Sequence, residues 1–426
     1  MEARKYVKRI VDNELDALMP SLAAIALEGA KAVGKTATAA RRAATLHALD
    51  RPGALELAAA DPQRLLAGTP PVLIDEWQRL PLTWDLVRRT VDGDSTPGHF
   101  LLTGSASPSD PGRHSGAGRI VRLRMRPLTL TERAATGPVV SLAGLLEGGR
   151  GPIGGDTPIC LEDYVREICA SGFPGLRGLP ERAARAQLDS YLDLILDRDF
   201  PEIGHTVRNP EALRRWLAAY AAATSTTTSF DAVRYAATPG EADKPGKTTS
   251  QVYRDVLQRL WIIDPVPAWL PGRGHLRRLG SAPRHHLVDP ALAARLLGVG
   301  PEALLEARPS PPPVGRDTTL LGQLFESLVT LGVRVNAQAA EARVGHLRTH
   351  AGEHEVDLVV ERADHRVVAV EIKLAQSPGE HDVRHLRWLA EQLGDDLLDA
   401  VIITTGQEAY RRRDGIAVVP AALLGP

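Results

Sequence analysis

The chain has 426 residues, 43% hydrophobic and 24% charged, enough for two to four domains with cores of their own. Its 51 Lys and Arg against 52 Asp and Glu give a net charge of −1, which excludes a whole-chain polycation built to coat nucleic acid. Only 7 of the 51 cations are lysine, so the places that keep a compact ammonium are informative.

Two cysteines, Cys160 and Cys169, make neither a disulfide framework nor a zinc set and point to a reducing cytosol. There is no apolar run of about 18 residues and no apolar leader at the start, so a cytoplasmic protein without a membrane span is expected. Residues 1–20 read as an amphipathic lead-in. From 21 to 145, strand-like runs (Leu22–Leu27, Val72–Ile74, Phe100–Leu102, Ile120–Met125) alternate with helical patterns, as α/β layering does. A Gly/Pro-rich stretch at 148–158 reads as a linker. Residues 159–307 are mostly helical, 308–317 form a Pro-rich hinge, and 317–426 again read as α/β. There a helix (320–335), two strands (Glu355–Glu361, Val367–Lys373), a helix (382–394) and a strand (Ala400–Thr404) are predicted. The expected division is therefore 1–147, 159–307 and 317–426.

Gly29-Ala30-Lys31-Ala32-Val33-Gly34-Lys35-Thr36 fits G-x-x-x-x-G-K-[ST], after an apolar strand and before an Ala-rich helix. Such a loop turns backbone N–H groups toward phosphate at a helix N-terminus. Lys35 is placed to reach the β- and γ-phosphates, and the Thr36 hydroxyl to ligate Mg²⁺. The run VLIDE follows, ending a buried strand in Asp75, for the Mg²⁺ shell, and Glu76, to orient or deprotonate the attacking water. A third strand, HFLLTGS, ends in hydroxyls, of which Ser105 suits sensing of the phosphate or the water.

In order, GAKAVGKT, VLIDEWQ, FLLTGSAS, GRIVRLRMRPLTLTE, SGFPG and LILDRDF resemble the AAA-type ATPases. The likeness is to a bacterial and archaeal group whose core is followed by a C-terminal region of undefined function. It covers roughly residues 1–200 and implies ATP and Mg²⁺ as cofactors. It also makes Arg119 either a charge-sensing arginine or a plain strand-edge one. AAA cores often complete their site with a neighbour's arginine, so a homo-oligomer or a protein partner is an expectation with no residue to prove it. Arg122, Arg124 and Arg126 alternate with apolar residues. They form either a phosphate-facing or nucleic-acid-facing stripe or, the favoured reading, a half-exposed strand face whose charges are solvated or pair with acids elsewhere.

Helical patterns at 211–223, 229–237 and 248–260, then strand-like WIIDPVPAW at 261–269, suit a winged helix-turn-helix with 248–260 in the recognition position. Between Asp264 and Asp289 lie Arg273, Arg277, Arg278, Arg284 and three histidines without an acid, so DNA or a protein are both candidate partners. His285 and His286 read as wing surface. Lys244 and Lys247 precede the recognition helix. His381 with His385, and His350 with His354, are weak metal pairs.

In the last part, Asp357 begins one strand while Glu371 and Lys373 lie two apart on the next, so both face the same side. Glu326 on the preceding helix can add a carboxylate. A second Mg²⁺ or Mn²⁺ on Glu326, Asp357 and Glu371, with Lys373 activating water, is the expectation. The order resembles the PD-(D/E)xK nucleases, with Val356 in place of their proline, and both an intact and a non-cutting copy fit. The whole reads as an α/β protein: an AAA-type core, a helical and winged-helix middle, and a nuclease-like end. It is expected to be a Mg²⁺-dependent ATPase coupled to DNA, or alternatively a nucleotide-operated switch or transcription factor with an inactive nuclease-like part.

Overall fold

The computed structural model describes residues 6–106, 117–133, 137–202, 204–205, 207, 209–238, 245–271, 282–306, 319–349 and 352–426. Strands β1 (Ala24–Glu28), β2 (Thr45–Ala48), β3 (Val72–Asp75), β4 (Phe100–Gly104) and β5 (Ile120–Arg124) form one sheet in the order β2-β3-β4-β1-β5. All neighbours in it are parallel. The central runs AIALE, VLID and FLLTG are buried throughout because helices cover both faces, which is why they read as unbroken apolar stretches. Edge strand β2 carries TLHA, half-exposed, and no apolar run announces it.

The middle part is helical. Asn209, Ser229 and Asp289 cap the helices Pro210–Ala222, Phe230–Ala236 and Pro290–Leu296, each side chain accepting a backbone N–H of the first turn. Helix Lys247–Arg259 lies where the recognition helix was expected. The strand expected at 261–269 is corrected to single bridges, Ile263 with Leu287 and Val266 with Arg284. Pro265 and Pro267 lack the N–H groups that a continuous ladder would need.

A 20-residue helix, Leu320–Ala339, leads into the last part. There β7 (Arg343–Arg348), β8 (Glu355–Glu361), β9 (Val367–Ile372), β10 (Leu397–Thr404), β11 (Tyr410–Arg411) and β12 (Ala417–Pro420) form a mixed sheet, ordered β11-β12-β10-β9-β8-β7. Helix Arg384–Leu393 crosses from β9 to the parallel β10. A short parallel pair joins β6 (Val140–Ser141) to β13 (Leu424–Gly425).

The three parts share one apolar core. Leu27, Tyr164, Leu213, Leu292, Phe325, Val370 and Leu423 belong to the same buried cluster, and the Tyr164 and Phe325 rings meet edge-on at 5.4 Å. The stretch read as a linker is docked rather than free: Thr157 N donates to Gln407 O at 2.8 Å, and Arg150 Nη2 to Leu397 O at 3.1 Å. The Pro-rich hinge lies outside the described residues. Among the described residues no helix is long and apolar enough to cross a membrane, and Cys160 and Cys169 are unpaired thiols.

Candidate functional site: a phosphate loop and a carboxylate cluster

The loop 29–34 connects central strand β1 to helix Lys35–Ala40. Glycine is required at both ends of the loop. A Cβ on Gly29 would lie 2.1 Å from the Met125 carbonyl oxygen, and Gly34 sits at φ +102°, in the left-handed region. Lys35 is buried, its Nζ donating to the Gly29 and Ala30 carbonyls at 3.0 and 2.8 Å. Burial pulls its pKa down to about 8, with Glu76 and Asp75 only partly offsetting this.

Parallel pairing sets Asp75, at the end of β3, beside Thr103 of β4. Asp75 Oδ1 accepts from Thr36 Oγ1 at 2.7 Å and from the Thr103 hydroxyl. Burial holds the Asp75 carboxyl above its ordinary range. Thr36 and Asp75 thus bring two hard oxygen donors together from opposite sides of the loop, a pair that fits Mg²⁺. Glu76 has φ +55°, a left-handed residue that ends the strand. Its Oε2 accepts from Gln78 Nε2 at 2.5 Å and from Ser105 Oγ at 2.8 Å, so Ser105 does reach the residue expected to handle water.

Two expected nucleotide contacts lie elsewhere. Lys31 Nζ is held by Asp199 at 2.5 Å and Glu202 at 3.1 Å, where a π-helical turn, Ile195–Asp199, brings the middle part onto the loop. Arg119 precedes the start of β5, whose Ile120 pairs with Ala24 and whose Arg124 pairs with Glu28. Its backbone therefore lies at the end of the strands opposite the loop, and its guanidinium is held by Asp92 at 2.6 Å. An arginine that sequence reading passed over does touch the loop. Buried Arg9 donates from Nη1 to Val33 O at 2.8 Å and from Nη2 to Arg126 O at 2.7 Å, and its Nε meets Glu132 at 3.0 Å. No motif marks it.

The Arg stripe pairs with acids. Arg122 meets Glu28, while Arg124 and Arg126 both reach buried Asp264, which also holds Arg334 at 2.8 Å. His285 and His286 are buried, not wing surface; His285 Nε2 contacts Thr228 O at 2.6 Å. Arg273, Arg277, Arg278, Lys244 and His350 lie outside the described residues. Lys247 pairs loosely with Asp231 at 3.6 Å on a shallow cleft that Arg234 and Arg254 also line. The His381 and His385 rings are engaged by Arg384 at 2.5 and 3.0 Å.

The C-terminal residues do converge. Glu326, Asp357 and Glu371 surround one buried spot, and Lys373 Nζ meets Glu371 Oε1 at 2.7 Å, as the same-face spacing requires. Sequence reading missed what stands among them. Arg284 Nη1 donates to Glu326 Oε1 at 2.5 Å and to Asp357 Oδ1 at 2.8 Å, while Nη2 meets Glu355. Among the described residues no three His, Cys, Asp or Glu side chains are arranged to hold a metal ion. Of the three carboxylates expected to hold a second Mg²⁺ or Mn²⁺, Glu326 and Asp357 thus have Arg284 Nη1 between them, while Glu371 meets Lys373.

Residues 22–134 match the family described as AAA domain. Residues 161–303 and 321–424 match two families described as domains of unknown function, DUF8612 and DUF4143. The uncharacterized proteins Mb2031c of Mycobacterium bovis and Rv2008c of Mycobacterium tuberculosis are each 26% identical over 367 residues, covering 85% of this chain and 71% of theirs. A solved Walker-type ATPase of Pyrococcus abyssi aligns at 17% identity and a TM-score of 0.40, over 68% of this chain and 96% of that one. That score is too low to equate the two overall folds. The phosphate loop, Asp75 and Ser105 all lie inside the stretch that matches the AAA domain family, residues 22–134.

Proposed function

We propose that the chain binds ATP with Mg²⁺ and hydrolyses it, and that the cycle works as a switch on a partner. The contact that carries this reading is Thr36 Oγ1 on Asp75 Oδ1 at 2.7 Å, beside a buried Lys35. Lys35 would leave the Gly29 and Ala30 carbonyls for phosphate oxygens, whose negative charge compensates its desolvation. Thr36 and Asp75 would hold Mg²⁺, which supplies charge neutralisation across the phosphates. Glu76 would orient a water and take its proton, with Ser105 and Gln78 fixing the carboxylate until then.

Glu76→Gln tests the reading. It should keep ATP binding and lower the hydrolysis rate by about a hundredfold or more, in the range general-base catalysis contributes. Lys35→Ala should lose binding itself. Unchanged ATP affinity in Lys35→Ala would sink the assignment.

A second reading makes duplex DNA the partner. It is supported by Lys247, Arg234 and Arg254 gathered along one cleft beside helix Lys247–Arg259. ATPase rate with and without duplex DNA separates the two: stimulation that Lys247→Glu removes supports DNA, and an unaltered rate supports a protein partner or a second copy of the chain.

A further inference from the structure

The C-terminal cluster gathers four carboxylates, Glu326, Glu355, Asp357 and Glu371, around two cations, Arg284 and Lys373. Arg284 comes from a different part of the chain from its partners. It is fixed from behind by its own backbone, Arg284 N to Val266 O and Val266 N to Arg284 O, both at 2.9 Å. Its side chain is 2% exposed. A guanidinium cannot lose its proton here, and its planar fork spans two carboxylates at once. Asp357 is braced from the other side by Ile372 N at 2.8 Å. Glu371 is 3% exposed, and the oxygen that Lys373 does not use, Oε2, is buried with no hydrogen-bond partner. The cluster thus has the donor set of a cation site, with a spare oxygen, and a protein cation inside it.

We propose that Arg284 is the resident cation of this cluster, so that the wild-type chain takes no divalent metal there and uses the carboxylates to dock the middle part onto the C-terminal sheet. The nuclease-like arrangement then serves as an internal receptor for a guanidinium. The charge balance fits. Three cations face the four acids, since Arg348 Nε also lies 3.9 Å from Glu355, and burial pushes Glu326 and Glu371 up to about 8, so a proton can make up the difference near neutral pH. Asp357, which Arg284 and Lys373 hold below its ordinary range in spite of burial, stays ionised.

The test is uptake of Mn²⁺ by the full chain without nucleotide, followed by loss of the free-ion electron paramagnetic resonance signal. Leaving nucleotide out keeps the outcome independent of the ATPase reading. Wild type and Glu371→Gln, which retains every Arg284 contact, should take up the same Mn²⁺. Arg284→Gln should bind one further equivalent, and Arg284→Gln with Asp357→Asn should lose it again. The proposal is overturned if wild type binds an equivalent that Glu371→Gln lacks, or if folded Arg284→Gln gains none. Should Arg284→Gln fail to fold, the wild-type and Glu371→Gln titrations decide alone.

Discussion

Arg284 and Asp357 stand 73 positions apart and meet at 2.8 Å, the one bridged to a two-proline segment of the middle part, the other on a buried strand. Their contact closes a cluster in which acids outnumber bases, so its stability must depend on pH. Glu326 and Glu371 are raised by burial from the ordinary 4.5 to about 8. An acid raised in the fold holds a proton that the unfolded chain has released. Its contribution is complete below about 4.5 and is lost as pH rises through 8, at up to about 1.4 kcal/mol per pH unit per proton. Thermal melts between pH 6 and 9 should fall with rising pH, and Glu371→Gln should flatten the profile. Parallel profiles for the two proteins would refute this.

The buried Lys35 predicts a pH dependence of a different kind. Its pKa of about 8 means that the free protein begins to lose the ammonium just above neutrality. ATP needs that charge, so affinity should be constant below pH 7 and weaken toward tenfold per unit above 8. Lys35→Arg should bind more weakly throughout and show no such bend. Calorimetric titrations at pH 6.5, 7.5, 8.5 and 9.5 would check it.

Lys31 stands inside the phosphate loop yet gives its charge to Asp199 and Glu202. Lys31→Ala should leave ATP affinity within about twofold while loosening the middle part against the loop. Faster hydrogen exchange at 195–202 with unchanged ATP binding is the expected pair of results. A tenfold loss of affinity would return Lys31 to the nucleotide.

Arg9 joins a loop carbonyl, the Arg126 carbonyl and the Glu132 carboxylate within the interior. Arg9→Gln leaves Glu132 buried without its partner, which typically costs about 3–5 kcal/mol. Urea unfolding should show that loss, and Arg9→Gln with Glu132→Gln should recover part of it.

What sequence reading found is local. The phosphate loop, VLIDE and the strand ending in Ser105 each lie within a few residues, and parallel pairing alone brings them together. Glu371 and Lys373 were legible for the same reason, since period two fixes their common face. Strands β2 and β7 escape notice because TLHA and RVGHLR are edge strands with no apolar run. Arg284 was taken for part of a basic wing because its partners come 42 to 73 residues later, a distance over which charge counts along the chain say nothing. Arg119 was drawn toward the phosphate by family likeness, yet strand direction puts it at the far end.

The pairing of β6 with β13 orders events during synthesis. Val140 finds its strand partner only when Leu424 has been made, and Thr131 Oγ1 donates to that same residue's carbonyl at 2.9 Å. A nascent chain thus carries a finished phosphate loop well before the strand partner of Val140 and Ser141 has been made. Removing Leu424 and Gly425 would take away the strand partner of Val140 and Ser141 and the acceptor of the Thr131 hydroxyl, nearly 300 positions upstream. Local contacts form early and distant ones late, and here a late one closes onto a part made long before it.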